Sequence, residues 1–133
     1  MGIPTAQAEI ELRHLLLSTA WTQPTAIWLG LHSVAPATDV DYGTELTGNG
    51  YLRVLSTTWE FSARSATNST TITFPTASGN WSSCVSFGLY NSSASTSFLR
   101  GGALDTFRLA LSGDTLQFST GTITIQYNTS TDL

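Results

Sequence analysis

Lysine is absent from this 133-residue sequence, and all five basic residues are arginines. Charged residues make up 11% of the chain, well under half of the share, about a quarter, that is usual for soluble domains. The formal net charge is −4. A nucleic-acid-binding protein normally presents a stripe of basic residues, which this composition cannot supply. We therefore expect no direct contact with DNA or RNA.

Cysteine and long apolar runs are equally scarce. The one cysteine, Cys84, cannot form a disulfide within the chain, which excludes a small scaffold held together by disulfides. No apolar run reaches the roughly 20 residues of a transmembrane helix, so no membrane association is expected. The first residues lack a basic segment followed by an apolar core, so the sequence predicts no signal peptide.

Serine and threonine supply most of the polar surface instead. Together they are roughly three residues in ten, far above their average usage. Such a surface leaves sheet faces and edges without the charges that usually block edge pairing between chains. The composition therefore favours a protein that packs against other protein chains.

One segment, residues 5–19, has the pattern of a helix. Two interpretations of its wide apolar surface remain open: the helix covers the end of a sheet core, or it also packs on a neighbouring subunit. Ile10 and Leu17 lie to one side of the main apolar stripe, which makes them candidates for a subunit interface. The residues of the main stripe recur at helical spacing: Ala8, Leu12, Leu15, Leu16 and Thr19.

The rest of the chain has the pattern of short β-strands separated by Gly, Pro, Asn, Asp or Ser. It predicts a single domain of the all-β class, residues 1–133, in which an antiparallel β-sandwich of the jelly-roll or immunoglobulin-like kind spans residues 26–127. The one N-terminal α-helix packs on this sandwich, and residues 128–133 form a loose tail. The candidate strands are 26–33, 51–55, 58–64, 70–74, 83–90, 97–104, 106–111, 114–119 and 121–127.

A hairpin is expected near the C-terminal end, where Ser112-Gly113-Asp114 reads as a tight turn. Apolar residues alternate with polar ones on both sides of this turn: Leu109, Leu111, Leu116 and Phe118.

An acidic loop is a weak candidate metal site. Asp39, Asp41 and Glu45 could gather oxygen atoms around Ca²⁺, although their spacing is not that of an EF-hand loop. The alternative is a solvated turn in which the aspartates bond local backbone amides.

Catalytic residues are not evident. His14 lies on the leucine-rich helix and His32 ends a strand, so each is interpreted as a structural histidine. Cys84 stands in an apolar strand with no basic neighbour to lower its pKa, which indicates an inert thiol in the core. Neither a nucleophile elbow nor a CxxC or HExxH motif occurs. We expect no enzymatic activity and no cofactor.

Tryptophan offers a third kind of site, a stacking platform for sugars. Trp21, Trp28, Trp59 and Trp81 could form such a platform, which would make the protein a carbohydrate-binding module; the alternative is that they fill the core or a subunit contact. Trp28 and His32 point away from the aliphatic side of their strand. That places both among the interface candidates.

Several short motifs resemble those of small phage proteins described as tail-fibre or virion structural proteins. They are the strand Trp28-Leu29-Gly30-Leu31-His32-Ser33, then Pro36 and Glu45, then Gly50-Tyr51-Leu52-Arg53, and further on Phe74-Pro75-Thr76-Ala77, Trp81 and Gly88-Leu89-Tyr90. Within this resemblance the expected role of Glu45 is an ion pair with Arg53.

The resemblance implies a non-enzymatic structural protein of a tailed-phage virion, assembled in the host cytoplasm. It is expected in many copies, as a capsid decoration (cement) protein or as a tail-fibre or baseplate component. Its partners would be other virion proteins and other copies of itself, in a homo-oligomer for which we expect a trimer.

Overall fold

A computed structural model describes residues 5–20, 24–35, 43–56, 58–94 and 98–126. The N-terminal helix α1 spans Thr5–Leu17, close to the predicted segment. It ends where Ser18 adopts a positive φ of 53°, a left-handed conformation that turns the chain out of a helix. The amide of Thr19 then donates back to the carbonyl of Arg13 at 3.3 Å.

Ten strands follow in the described part of the chain, and all of their pairings are antiparallel. The largest sheet has the order β2-β1-β7-β8, with β3 also paired to β1; β10-β5-β4 and β6-β9 form two smaller sheets. The strands are β1 (Ile27–Val34), β2 (Thr44–Glu45), β3 (Val54–Ser56), β4 (Trp59–Ser62), β5 (Ser65–Asn68), β6 (Ile72–Thr73), β7 (Cys84–Tyr90), β8 (Phe98–Arg108), β9 (Gln117–Phe118) and β10 (Thr124–Gln126).

The core lies against one face of the largest sheet. Leu29 and Leu31 of β1 pair with Leu89 and Phe87 of β7, and all four side chains are buried. The alternation predicted for β1 is therefore the alternation between a core face and an opposite face. The sheet β6-β9 and the segments next to the smaller sheets contribute further side chains to the same cluster: Ile72, Phe74, Trp81, Leu116, Phe118 and Ile123.

These features confirm the predicted class, an antiparallel all-β fold of the sandwich type with one short helix. Each predicted strand contains part of an observed one, but the pair 97–104 and 106–111 is a single strand, β8. Its register shifts sharply, since Ser86 pairs with Ala103 whereas Cys84 pairs with Arg108. In place of the break expected at Asp105, this register shift leaves extra residues on β8 opposite β7.

The hairpin predicted around residues 112–114 is wrong. The turn exists, because the Asp114 amide donates to the Leu111 carbonyl at 2.9 Å, but β9 pairs with β6 rather than with the chain before the turn. The flanking backbone bonds instead to residues 74–81, for example from the Trp81 amide to the Ala110 carbonyl at 2.8 Å.

The predicted packing of the helix on the sandwich is also wrong. Its leucines project away from the sheets and are largely exposed. Among the described contacts, an ion pair between Glu11 and Arg100 of β8 ties α1 to the β-sheet body (the described residues after α1), with 2.9 Å between the charged atoms. In the described part of the chain, no helix has both the length and the apolar character needed to cross a membrane.

Candidate functional site

A polar cluster with several internal hydrogen bonds lies on the face of β1 opposite the core. Gly30 pairs with Gly88 of the neighbouring strand, and His32 pairs with Ser86. Although this face points away from the core, Gly30, His32 and Ser86 are all buried. Side chains from β2 and from the segment before β3 cover it.

The side chains that cover this face include an ion pair between Glu45 and Arg53, which the family resemblance led us to expect. Arg53 Nε donates to Glu45 Oε1 at 2.8 Å and its Nη2 donates to Oε2 at 2.7 Å. This two-point geometry is the strongest form of carboxylate recognition available to a side chain. Arg53 Nη1 donates to the Ser92 carbonyl at 2.8 Å, which ties the pair to the loop after β7.

The Tyr51 hydroxyl joins this ion pair to the sheet backbone. It donates to Glu45 Oε1 at 2.8 Å and accepts the amide of Leu31 at 2.8 Å. The Tyr51 ring packs against Phe74 and Trp81, with centroid distances of 6.3 and 5.5 Å. One residue thus links the polar cluster to the apolar core.

Tyr90 of β7 and His32 of β1 complete the cluster on the side of the sheet. The Arg53 guanidinium carbon lies 3.4 Å from the centroid of the Tyr90 ring, a cation–π contact. The Tyr90 hydroxyl and His32 Nε2 are hydrogen-bonded at 2.7 Å. The Phe98 ring packs next to His32, with 5.9 Å between the two ring centroids.

The two paired glycines make room for this arrangement. A Cβ atom on Gly30 would lie 2.7 Å from Glu45 Oε1, and one on Gly88 would lie 2.8 Å from His32 Nε2. Both distances are too short for real atoms, so any side chain at these positions would displace the charged cluster or the histidine. The GLH and GLY segments of the sequence therefore carry glycine because a cluster must fit above them.

The cluster changes the pKa values of its members. Burial alone would raise the pKa of Glu45, but hydrogen bonds from Arg53 and Tyr51 and the positive charge of Arg53 outweigh it and leave the pKa below its usual value. Burial, together with the nearby Glu45 carboxylate, raises the pKa values of Tyr51 and Tyr90. The charged pair and the neutral phenols are therefore the stable protonation states near neutral pH.

This arrangement is chemically suited to holding strands together. The carboxylate of Glu45 is engaged by two donors, and the tyrosine hydroxyls stay protonated. The nucleophiles nearby are poor ones: Ser86 is fully buried, and burial raises the pKa of the Cys84 thiol to about 11. The interpretation of Cys84 as a buried, unreactive thiol agrees with this environment.

The candidate metal loop is not assembled as a site by the described residues. Asp39 and Asp41 lie outside them, and Glu45 faces Arg53 and Tyr51 instead. Within the described ranges, no group of three or more His, Cys, Asp or Glu side chains could hold a metal ion.

The four interface candidates fall in different surroundings. Ile10 and Leu17 are 40% and 68% exposed on α1, and Trp28 is half-buried. His32 is 1% exposed, so its ring lies inside the chain and is not available to another copy. That expectation was wrong because Tyr90 and Phe98 cover the face of β1 on which His32 lies.

The tryptophans do not form one platform in the described residues. Trp81 is buried and its Nε1 donates to the Asn49 carbonyl at 2.9 Å. Trp28 and Trp59 are half-buried on different sheets, and Trp21 lies outside the described residues.

Asn68 is a structural residue that the sequence did not reveal. Its side chain is buried, donates to the carbonyls of Thr70 and Ser119 and accepts the amide of Ile123 at 2.9 Å. It fastens β5 to the segment between β9 and β10. A single asparagine in a Ser/Thr-rich stretch carries no pattern from which this role could be found.

A comparison with known protein families identifies the family of the chain. A family model described as "Podophage GP4 fiber I protein gp80" matches residues 3–126, and no curated protein matches the chain. Because the match covers nearly the whole sequence, the chain belongs to this family. It is a phage fibre-type structural protein associated with the virion, which confirms the resemblance seen in the sequence.

Proposed function

We propose that this member of the gp80 fibre family is a non-enzymatic component of a phage tail fibre or its attachment point, present in several copies per particle. The observation that carries the proposal is the family match over residues 3–126. The cluster around Glu45 and Arg53 supports it, because its charged groups bind one another and the loop after β7 rather than leaving a reactive group in an open cleft.

The proposed location of the protein is the fibre rather than the capsid surface. A capsid decoration protein and a fibre module both assemble in many copies, and the sequence alone left the two open. The family description names a fibre protein, which favours the fibre. Assembly in the host cytoplasm, before the particle is released, is part of the same proposal.

The proposed partners are other copies of the chain, in a trimer, and neighbouring virion proteins. Support comes from the surface: charged residues are only 11% of the chain, and several large apolar side chains outside α1 are exposed on the β body. Such exposed apolar side chains are available for contacts with other protein chains. The most exposed of these side chains are Phe61, Leu52, Phe107 and Val34.

Labelling of intact particles tests the location. Antibodies against the purified chain, detected with gold, are expected to mark the tail and its fibres. Antibody absorbed with purified chain before use is the matched control and should leave particles unlabelled. Regular label over the head would overturn the fibre assignment, and particles without specific label would overturn the virion assignment.

A further inference from the structure

Helix α1 presents an apolar surface that the other described residues leave largely exposed. Leu12, Leu15, Leu16 and Leu17 are 55%, 76%, 70% and 68% exposed. Together they expose more than two and a half leucine equivalents on one short helix, a concentration of exposed apolar side chains that is typical of protein interaction sites.

The helix also lacks the packing that usually stabilises a helix of its length. It has 13 residues, and helices shorter than about 12–15 residues are marginal in water unless an apolar face packs against something. Its described side-chain tie to the body is polar, from Arg100 Nη2 to both oxygens of Glu11 at 3.1 and 2.9 Å. That ion pair positions the helix and leaves its leucine surface outward.

The charges around this surface are neutralised within the same chain. Glu9 pairs with Arg13 one turn later at 2.8 Å, and Glu11 pairs with Arg100. His14 Nδ1 is hydrogen-bonded to the Thr19 carbonyl at 3.2 Å. Because each acid has a local basic partner, an identical surface could approach without like-charge repulsion. Among the described residues of α1, the charged side chains that a strongly charged partner would bind are already paired within the chain.

We propose that the α1 leucine surface packs against α1 of a second copy of this chain. Ala8, Leu12 and Leu15 recur at four- and three-residue spacing, the spacing of residues that meet between packed helices. Leu16 widens the same surface. This inference rests on the proposed function for the expectation that copies meet, and it adds the surface through which they do.

Self-association of the purified full-length chain is the test. Light scattering coupled to gel filtration should give a multiple of the chain mass of 14.2 kDa. L12E/L16E should fall to a single copy while its far-ultraviolet β spectrum is retained. The control T71E/S83E adds the same two charges at exposed polar positions outside the helix and should keep the wild-type mass. A monomeric wild type, or an L12E/L16E variant that keeps the oligomer mass, would overturn the proposal.

Crosslinking gives a second measurement in case the glutamates disturb the helix. L16C places a thiol on the proposed contact, while the native Cys84 is buried. Mild oxidation should give covalent dimers of L16C and none of L109C, whose position is exposed on the body. Equal dimer yields would overturn the contact.

The two proposals fail in distinguishable ways. Gold label on the fibre with an L12E/L16E variant that stays oligomeric would refute only the helix contact. Loss of the oligomer in L12E/L16E with label absent from particles would refute only the fibre assignment.

Discussion

Leucines in two regions of this chain have opposite surroundings. In β1, Leu29 and Leu31 are 0% exposed, because β7 pairs with their strand and the smaller sheets face them. In α1, leucines of the same apolar character project into solvent. The comparison shows that a periodic apolar pattern identifies which side chains share a face, whereas the cover of that face depends on parts of the fold, or on other chains, that the pattern does not describe.

The polar contacts differ in the same way. The body holds Glu45 and Arg53 in a cluster that reaches β1, β2, β7 and the core through hydrogen bonds and ring contacts. The described contact of α1 with the body is the ion pair Glu11–Arg100. The body is therefore stabilised from within, and the helix is positioned by the body but gains little burial from it.

The largest expected effect comes from making the same truncation in both regions. Leu31→Ala removes a fully buried side chain and should lower the free energy of unfolding by about 4 kcal/mol. Leu16→Ala, at 70% exposure, should change it by less than about 0.5 kcal/mol. Urea unfolding at low protein concentration, which limits the contribution of self-association, measures both values.

If Leu16→Ala lowered the free energy of unfolding by more than about 2 kcal/mol under these conditions, the leucines of α1 could not be as exposed as described. Such a result would mean that the helix packs on its own sheet, as the sequence first suggested. A small cost for Leu31→Ala would contradict the assigned core instead.

Breaking the polar cluster should have the next largest effect. Arg53→Met keeps the length of the side chain but leaves the partly buried Glu45 carboxylate without its bidentate partner, which should cost about 3 kcal/mol. Arg13→Met is the matched control, since Arg13 pairs with Glu9 on the exposed side of α1 and its loss should cost at most about 0.5 kcal/mol. Equal costs for the two variants, measured by urea unfolding, would show that the cluster does not stabilise the body.

Several features of the β-sheet body could be predicted from the sequence. The alternation in residues 26–33 located β1 and its core face, and the pairing of Glu45 with Arg53 followed from the family resemblance and is confirmed. Both features are local or lie within one recurring motif. The contacts of Tyr51, Tyr90 and His32 could not be found in this way, because they join residues up to 58 positions apart and depend on strand order.

Other features were missed for equally physical reasons. The strand β5, Ser65–Asn68, has no apolar alternation because its side chains are small or polar. The strand β2 has two residues, too few for a period to be visible. The helix was located correctly, but whether its apolar stripe covers the sheet or also meets a neighbouring subunit stayed open, because the pattern does not say which surface covers it.

The protonation of Glu45 should make the cluster sensitive to pH. Its folded pKa lies below its usual value of 4.5, so the stability that it contributes is present above pH 4.5 and is lost as the pH falls through the folded pKa. Glu45→Gln should therefore cost about 2 kcal/mol at pH 7, and the difference from wild type should shrink in acid below pH 4.5. Urea unfolding at a series of pH values measures this difference.

The same change in an Arg53→Met background is the control. Without the guanidinium, the pKa of Glu45 loses its main lowering influence and burial acts to raise it, so the difference should no longer shrink in acid. A difference that keeps the same pH dependence in both backgrounds would show that Arg53 is not the cause.

The smallest expected effect concerns the ion pair Glu11–Arg100, which joins α1 to β8. Glu11→Gln weakens the ion pair that positions α1, and in the single-copy L12E/L16E background it should destabilise the helix by about 1 kcal/mol. Hydrogen exchange of the α1 amides should accelerate roughly fivefold, while the amides of β1 keep their protection because the sheet does not depend on the helix. Glu9→Gln, which weakens a pair within α1 itself, should give a smaller acceleration at the same amides. Faster exchange in β1 would mean that the helix stabilises the body after all, and unchanged exchange in α1 would mean that contacts other than Glu11–Arg100 position it.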